Sequence, residues 1–168
     1  MTDPISAYLT ADHDVLDALL RRAEGNGGGI DMAAYAEFRR GLLRHIGMEE
    51  KILFPAAQRA RGGQPLPAAA RLHLDHGALA ALLVPKPTGA ILAAIRTILE
   101  PHNAIEEGPG GVYESCARLA GPDVDRLADA LRAVPAVSVS EHVDDERVLA
   151  ATRRALARAG YDAAVMGI

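Results

Sequence analysis

Between residues 12 and 107 the sequence writes one helical unit twice, and that duplication limits the fold more than any other feature. Asp12-His13-Asp14-Val15-Leu16-Asp17-Ala18-Leu19-Leu20 is echoed by Asp75-His76-Gly77-Ala78-Leu79-Ala80-Ala81-Leu82-Leu83. Both read Asp-His, a Leu three residues after the His, then a Leu pair. His45 is followed after three residues by Glu49-Glu50, and His102 in the same way by Glu106-Glu107. Each copy is thus an Asp-His helix followed by a His-xxx-Glu-Glu helix. A duplicated helix hairpin folds most simply into a bundle with an approximate two-fold axis.

The punctuation agrees. Gly25-Asn26-Gly27-Gly28-Gly29, Gly62-Gly63 and Pro85 with Pro87 separate stretches whose apolar residues recur at helical spacing. The expected helices cover about residues 4 to 24, 31 to 62, 67 to 84 and 88 onward. Asp31 caps the second and Thr88 the fourth, which Pro101 interrupts. Gly108-Pro109-Gly110-Gly111 is a further break, and two more helices are expected over residues 122 to 134 and 140 to 159. Short connections favour antiparallel neighbours. The expected architecture is all-α: an antiparallel up-down four-helix bundle over residues 1–120, with an additional helical extension over 121–168 packed on it.

Residues four apart lie on one helix face. His45 with Glu49, and His102 with Glu106, therefore point at the same place. Each half offers His, His and Glu, so the natural occupant is a pair of metal ions. Imidazole with carboxylate suits iron, with zinc or manganese as alternatives. A carboxylate can bridge two cations and offset their repulsion, which a neutral imidazole cannot. Glu49 and Glu106 are assigned as bridges, and His13, His45, His76 and His102 as terminal ligands. His73, three residues before His76, is the remaining candidate ligand.

Heights along the helices test this set. His13 lies 12 residues before Gly25 and His45 lies 14 after Asp31, similar depths in an antiparallel pair. In the second hairpin His76 is 8 residues before Val84 and His102 is 14 after Thr88. That offset of about 9 Å needs a short extended connection to absorb it.

Composition excludes other classes. A net charge of −4 leaves no basic surplus to neutralise phosphates, so nucleic acid is not expected as a partner. Cys116 is the only cysteine, which excludes an internal disulfide and a thiolate-rich site. No apolar run reaches the length of a membrane span. The start Met1-Thr2-Asp3-Pro4 lacks a basic-then-apolar layout, and the expected location is the cytoplasm.

On these residues the sequence resembles the hemerythrin-like, or HHE cation-binding, family over about residues 5 to 119. The strongest match is His45-Ile46-Gly47-Met48-Glu49-Glu50-Lys51-Ile52-Leu53-Phe54-Pro55, similar to the family's His-xxx-Glu-Glu-xx-Leu-Phe-Pro segment. Asp75-His76 with Leu79 resembles its third-helix segment, and residues 102 to 107 its fourth. The resemblance implies an up-down bundle with a non-haem di-iron site. It implies roles in binding or sensing O2 or redox state, handling iron, or reacting with peroxide or nitric oxide. A small diatomic or a peroxide is then the expected ligand. Two departures stand out. The family's fourth helix usually continues into an aromatic-Pro pair, where this chain has Gly108-Pro109-Gly110-Gly111 and then Tyr113-Glu114. Hemerythrins proper space the third-helix histidines by four, whereas His73 and His76 are three apart. The early break is expected to loosen the second metal position or open it to solvent.

A few further residues carry expectations. Glu50 and Glu107 are assigned to contacts around the ligands or to solvent. Tyr113 and Tyr8 can line the site or donate a hydrogen bond, with filling the core favoured, and Cys116 is assigned to the apolar core. His142 with Glu146 copies the ligand spacing but lies in an acidic segment, and is read as a solvated helix start.

Overall fold

A computed structural model describes residues 2–25 and 27–168; among them are helices and turns and no strand. The helices are α1 (Pro4–Glu24), α2 (Met32–Met48), α3 (Phe54–Ala60), α4 (Ala69–Leu82), α5 (Gly89–Glu107), α6 (Val112–Ala120), α7 (Val124–Arg132) and α8 (Glu146–Arg158). Asp31 caps α2 through the amides of Ala33 and Ala34, and Thr88 caps α5 through that of Ile91. Each satisfies amides that the first helical turn leaves without partners.

Cross-helix contacts fix the directions. Asp31 N reaches Ala23 O while Arg44 reaches Tyr8, so α1 and α2 are antiparallel. His13 meets Glu107 while Asp17 and Glu24 meet Arg96, so α1 and α5 are antiparallel too. The buried stripe of each long helix runs straight through its histidine. It reads Leu9-His13-Leu16-Leu20 in α1, Phe38-Leu42-His45 in α2, Leu72-His76-Leu79 in α4 and Ile95-Ile98-His102 in α5. These spacings of three and four place the histidines on the core face. One apolar cluster, including Leu16, Phe38, Leu79 and Ile95, lies on one side of the histidine level. A second, including Ile5, Leu9, Met48, Leu53 and Leu72, lies on the other.

Four local features have physical causes, and three of them depart from expectation. First, α2 and α3 are joined by a π-helical stretch, Glu49–Leu53, in which Phe54 N bonds Glu49 O five residues back. Pro55 follows and cannot donate, and the widened turn carries the chain past it. Second, α5 runs unbroken through Pro101. Both Pro101 and Thr97, whose carbonyl loses its donor, are exposed, so water can satisfy that oxygen. Third, the connection at residues 83–88 absorbs the predicted height offset, bringing the His76 and His102 Nε2 atoms to 3.2 Å. Fourth, residues 140–145 are not helical; α8 begins only after its cap Asp145. Arg44 binds Val134 O at 2.9 Å, Arg39 binds Ser140 O at 3.1 Å and Val143 N binds Val84 O at 3.1 Å, so this segment is strapped across the bundle as extended chain.

The C-terminal helices complete the core. α6 and α7 add Val112, Tyr113, Cys116, Ala128 and Leu131 to the second apolar cluster, and α8 adds Leu156 to the first. No helix among the described residues is long and apolar enough to cross a membrane.

Candidate metal centre

Between the two apolar clusters lies one polar layer. His13, His45, His76 and His102 are each at most 5% exposed, and Glu49 and Glu106 are fully buried. Their donor atoms form two groups, His13-His45-Glu49-Glu106 and Glu49-His76-His102-Glu106, each with all donors within 4.8 Å of one another. Both groups contain both glutamates. Within them the Nε2 atoms of His13 and His45 are 2.9 Å apart. His45 Nε2 lies 3.3 Å from Glu49 Oε1, and His102 Nε2 lies 3.1 Å from Glu106 Oε1.

Each of these four histidines is held from behind by a carboxylate. His45 Nδ1 is 2.7 Å from Asp12 and His102 Nδ1 is 3.3 Å from Asp75. His76 Nδ1 is 2.7 Å from Glu50 and His13 Nδ1 is 3.0 Å from Glu107. Ionised carboxylates only accept, so Nδ1 donates in each case and Nε2 is the nitrogen turned inward. The pattern explains the whole repeat. The Asp of each Asp-His pair orients the histidine of the next helix in its own hairpin. The second Glu of each Glu-Glu pair orients the Asp-His histidine of the opposite hairpin. Asp75 is itself steadied at its other oxygen by Tyr161 Oη and Arg71, both at 2.9 Å. Glu50 and Glu107 thus contact ligand candidates as expected. The roles of Asp12, Asp75 and Tyr161 were not assigned from the sequence; the duplicated Asp-His dipeptide was the available signal for the first two.

The layer is electrostatically unsettled without a cation. Burial opposes a proton on His45, but Glu49 and Asp12 outweigh it and push its pKa up to about 10. Burial likewise opposes a proton on His102, and Asp75 with Glu106 raises it to about 9. His13 is lowered to about 4 by burial and by the adjacent His45. Burial and the neighbouring Glu49 raise Glu106 to about 7. Glu49 goes the other way: His45 and His76 overcome burial and hold it well below the usual range. Protons on His45 and His102 therefore supply the positive charge that two buried carboxylates demand. Glu49 Oε2 and Glu106 Oε1 still lack a hydrogen-bond partner among the described residues, although each lies 3.1 Å from a histidine Nε2. Two buried carboxylates converging with four imidazole nitrogens are the donor set of a divalent-metal site.

Tyr113 does more than fill the core, the role favoured from the sequence: it takes the alternative and donates a hydrogen bond in the site. Gly110 turns the chain with φ +72°. A Cβ on Gly111 would lie 2.7 Å from Glu106 O and 2.6 Å from Gly108 O, so only glycine allows so tight a return over the end of α5. The break therefore does not open the second position, because His102 is 3% exposed and Glu106 0%. It sends the Tyr113 hydroxyl into the polar layer, where it donates to Glu49 Oε1 at 2.7 Å.

The remaining candidates lie elsewhere. His73 is not brought to the layer: its side chain is 75% exposed and its one polar partner among the described residues is Glu50, at 3.2 Å. Three residues rotate a helix about 300°, so with His76 facing inward His73 is carried to the rim. Cys116 is buried, with its thiol pushed up to about 12 by burial and by Glu49 and Glu106. His142 is in the extended strap, its ring stacked on Tyr35 at 5.8 Å. A cavity of about 430 Å³ abuts the four histidines and is walled by Leu16, Leu20, Leu42, Leu79 and Leu99, with Arg96 and Asn103 among its polar lining.

Comparison with known proteins bears on this geometry. The hemerythrin HHE cation binding domain family matches residues 5–109, which span all six buried ligand candidates. No curated protein and no solved structure matches. With well over half of its residues matched and a duplicated His/Glu layer inside an all-α bundle, the chain belongs to the hemerythrin HHE cation-binding domain family.

Proposed function

We propose that this chain is a non-haem di-iron protein that binds or senses O2 or redox state, or handles iron. The observation that carries the reading is the sharing of Glu49 and Glu106 between two buried groups, each completed by two histidines. On this reading His13 and His45 would hold one ion and His76 and His102 the other, with Glu49 and Glu106 within reach of both. When bound, an iron pair supplies two electrons and a Lewis acid to a small oxidant. Zinc or manganese suits the same donors, and zinc would bring no redox chemistry.

The chain's own residues do the rest. Asp12, Asp75, Glu50 and Glu107 orient the imidazoles and raise their basicity. The apolar clusters flank the layer on both sides. The cavity gives a diatomic or a peroxide a way to the histidine edge, which a purely structural metal staple does not need. That cavity also supports a second reading, an enzyme acting on peroxide, O2 or NO with the same ligands.

The test is elemental analysis of anaerobically reconstituted protein, followed by its absorption spectrum in air. Two irons per chain with new near-ultraviolet absorption support the reading; one metal, zinc, or none overturns it. A further expected result concerns orientation. Asp12→Asn keeps the shape but removes the charge behind His45, and metal affinity should fall about 10- to 100-fold. Chelator competition measures this, and unchanged affinity would remove Asp12 from the orienting set.

A further inference from the structure

We infer that the two metal positions are chemically unequal, because Tyr113 supplies a phenolate oxygen to the one formed by His13, His45, Glu49 and Glu106. The inference rests on the di-metal reading above. Tyr113 Oη lies 2.7 Å from Glu49 Oε1, 3.2 Å from Glu106 Oε2, 3.1 Å from His13 Nε2 and 3.2 Å from His45 Nε2. These are all four members of one group. None of its hydrogen bonds reaches His76 or His102, among the described residues.

A cation held by nitrogen and oxygen donors sits about 2.0–2.2 Å from each of them. Ligands at that range from one ion lie roughly 3 Å from one another, which is the separation Tyr113 Oη keeps from all four donors. A cation drawn to these donors therefore meets the phenol directly. Coordination replaces the O–H bond with a metal–oxygen bond and releases one proton to solvent, with no change of oxidation state. The hydroxyl cannot easily turn away. Tyr113 is fully buried, packed among Ile5, Leu9 and Met48, and Gly108 to Gly111 anchor its helix to the end of α5. Only one position gains this anionic oxygen, which stabilises the more highly charged ion there. The His76-His102 position has one donor fewer and is the one left to take an exogenous ligand.

The experiment uses the full chain, loaded with ferrous iron without air and then oxidised. Visible absorption, resonance Raman spectra and iron content are recorded for the wild type, for wild type grown with ring-deuterated tyrosine, and for Tyr113→Phe. The expected wild-type result is a visible phenolate-to-iron band whose excitation enhances ring vibrations that shift on deuteration. In Tyr113→Phe the band should vanish with at least half of the iron retained. Iron-loaded wild type without deuteration-sensitive ring vibrations overturns the inference and leaves the di-iron reading standing. A band that persists in Tyr113→Phe also overturns it. If Tyr113→Phe fails to fold, the deuterated wild type decides alone. A chain that takes up no iron overturns this inference together with the reading beneath it.

Discussion

Replacing Glu49 with Ala is expected to leave at most one tightly held metal per chain. Glu49 is the residue on which the layer converges. It is fully buried, belongs to both donor groups, accepts from Tyr113 at 2.7 Å and lies 3.3 Å from His45 and 3.1 Å from His76. On the di-metal reading proposed above, removing it takes a ligand from both positions at once. It also takes away the negative charge that allows two cations to sit close together. The metal-free protein should suffer as well. Its protonated His45 and the Tyr113 hydroxyl would lose their buried partner, and breaking such a pair costs about 3–5 kcal/mol. Elemental analysis after gel filtration reads the first effect and a denaturant melt of the metal-free form reads the second. Two tightly held metals in the alanine variant would remove Glu49 from the bridging role.

Removing the metal should lower the melting temperature and create a pH dependence that the loaded protein lacks. In the metal-free protein His45 and His102 carry pKa values of about 10 and 9, against an ordinary value near 6.5 in the unfolded chain. Their folded pKa values are raised, so their contribution to stability is complete below about pH 6.5 and is lost as pH climbs toward 9 and 10. Glu106, raised to about 7, acts in the same direction between about pH 4.5 and 7, since the folded state holds a proton that the unfolded state gives up. The lowered His13 opposes this only between about pH 4 and 6.5. Above neutrality nothing in the layer offsets the loss, so the metal-free melting temperature should fall steadily from pH 7 to 10. Metal binding runs the other way, because ligands must shed their protons to bind. The loaded protein should therefore hold its melting temperature over that range, with a gap that widens as pH rises. Thermal melts with and without chelator measure both curves; parallel curves would show that these histidines do not face the metal.

Sequence periodicity determined much of this protein. The ends of α1 follow from Pro4 and the glycines after Glu24, and the caps Asp31 and Thr88 act on local amides. Six of the seven ligand candidates, His13, His45, Glu49, His76, His102 and Glu106, come together because a spacing of four on a helix is itself a spatial statement. The duplication supplied the second half, and the family match covers the same residues.

Tertiary structure decided the rest. Whether His73 faces in or out depends on the rotation of α4 about its own axis, which packing sets once His76 faces inward. Whether Pro101 ends α5 depends on whether water reaches the carbonyl it leaves unpaired, a question of exposure. Asp12 and Asp75 read like any surface acids until the neighbouring helix delivers a histidine to each. The largest difference is at Gly108-Pro109-Gly110-Gly111. Helical spacing is lost at such a break, so the sequence says only that α5 stops there. Where the chain goes next is set by how closely Gly111 can approach the last carbonyls of α5, and that approach carries the Tyr113 hydroxyl into the centre of the site.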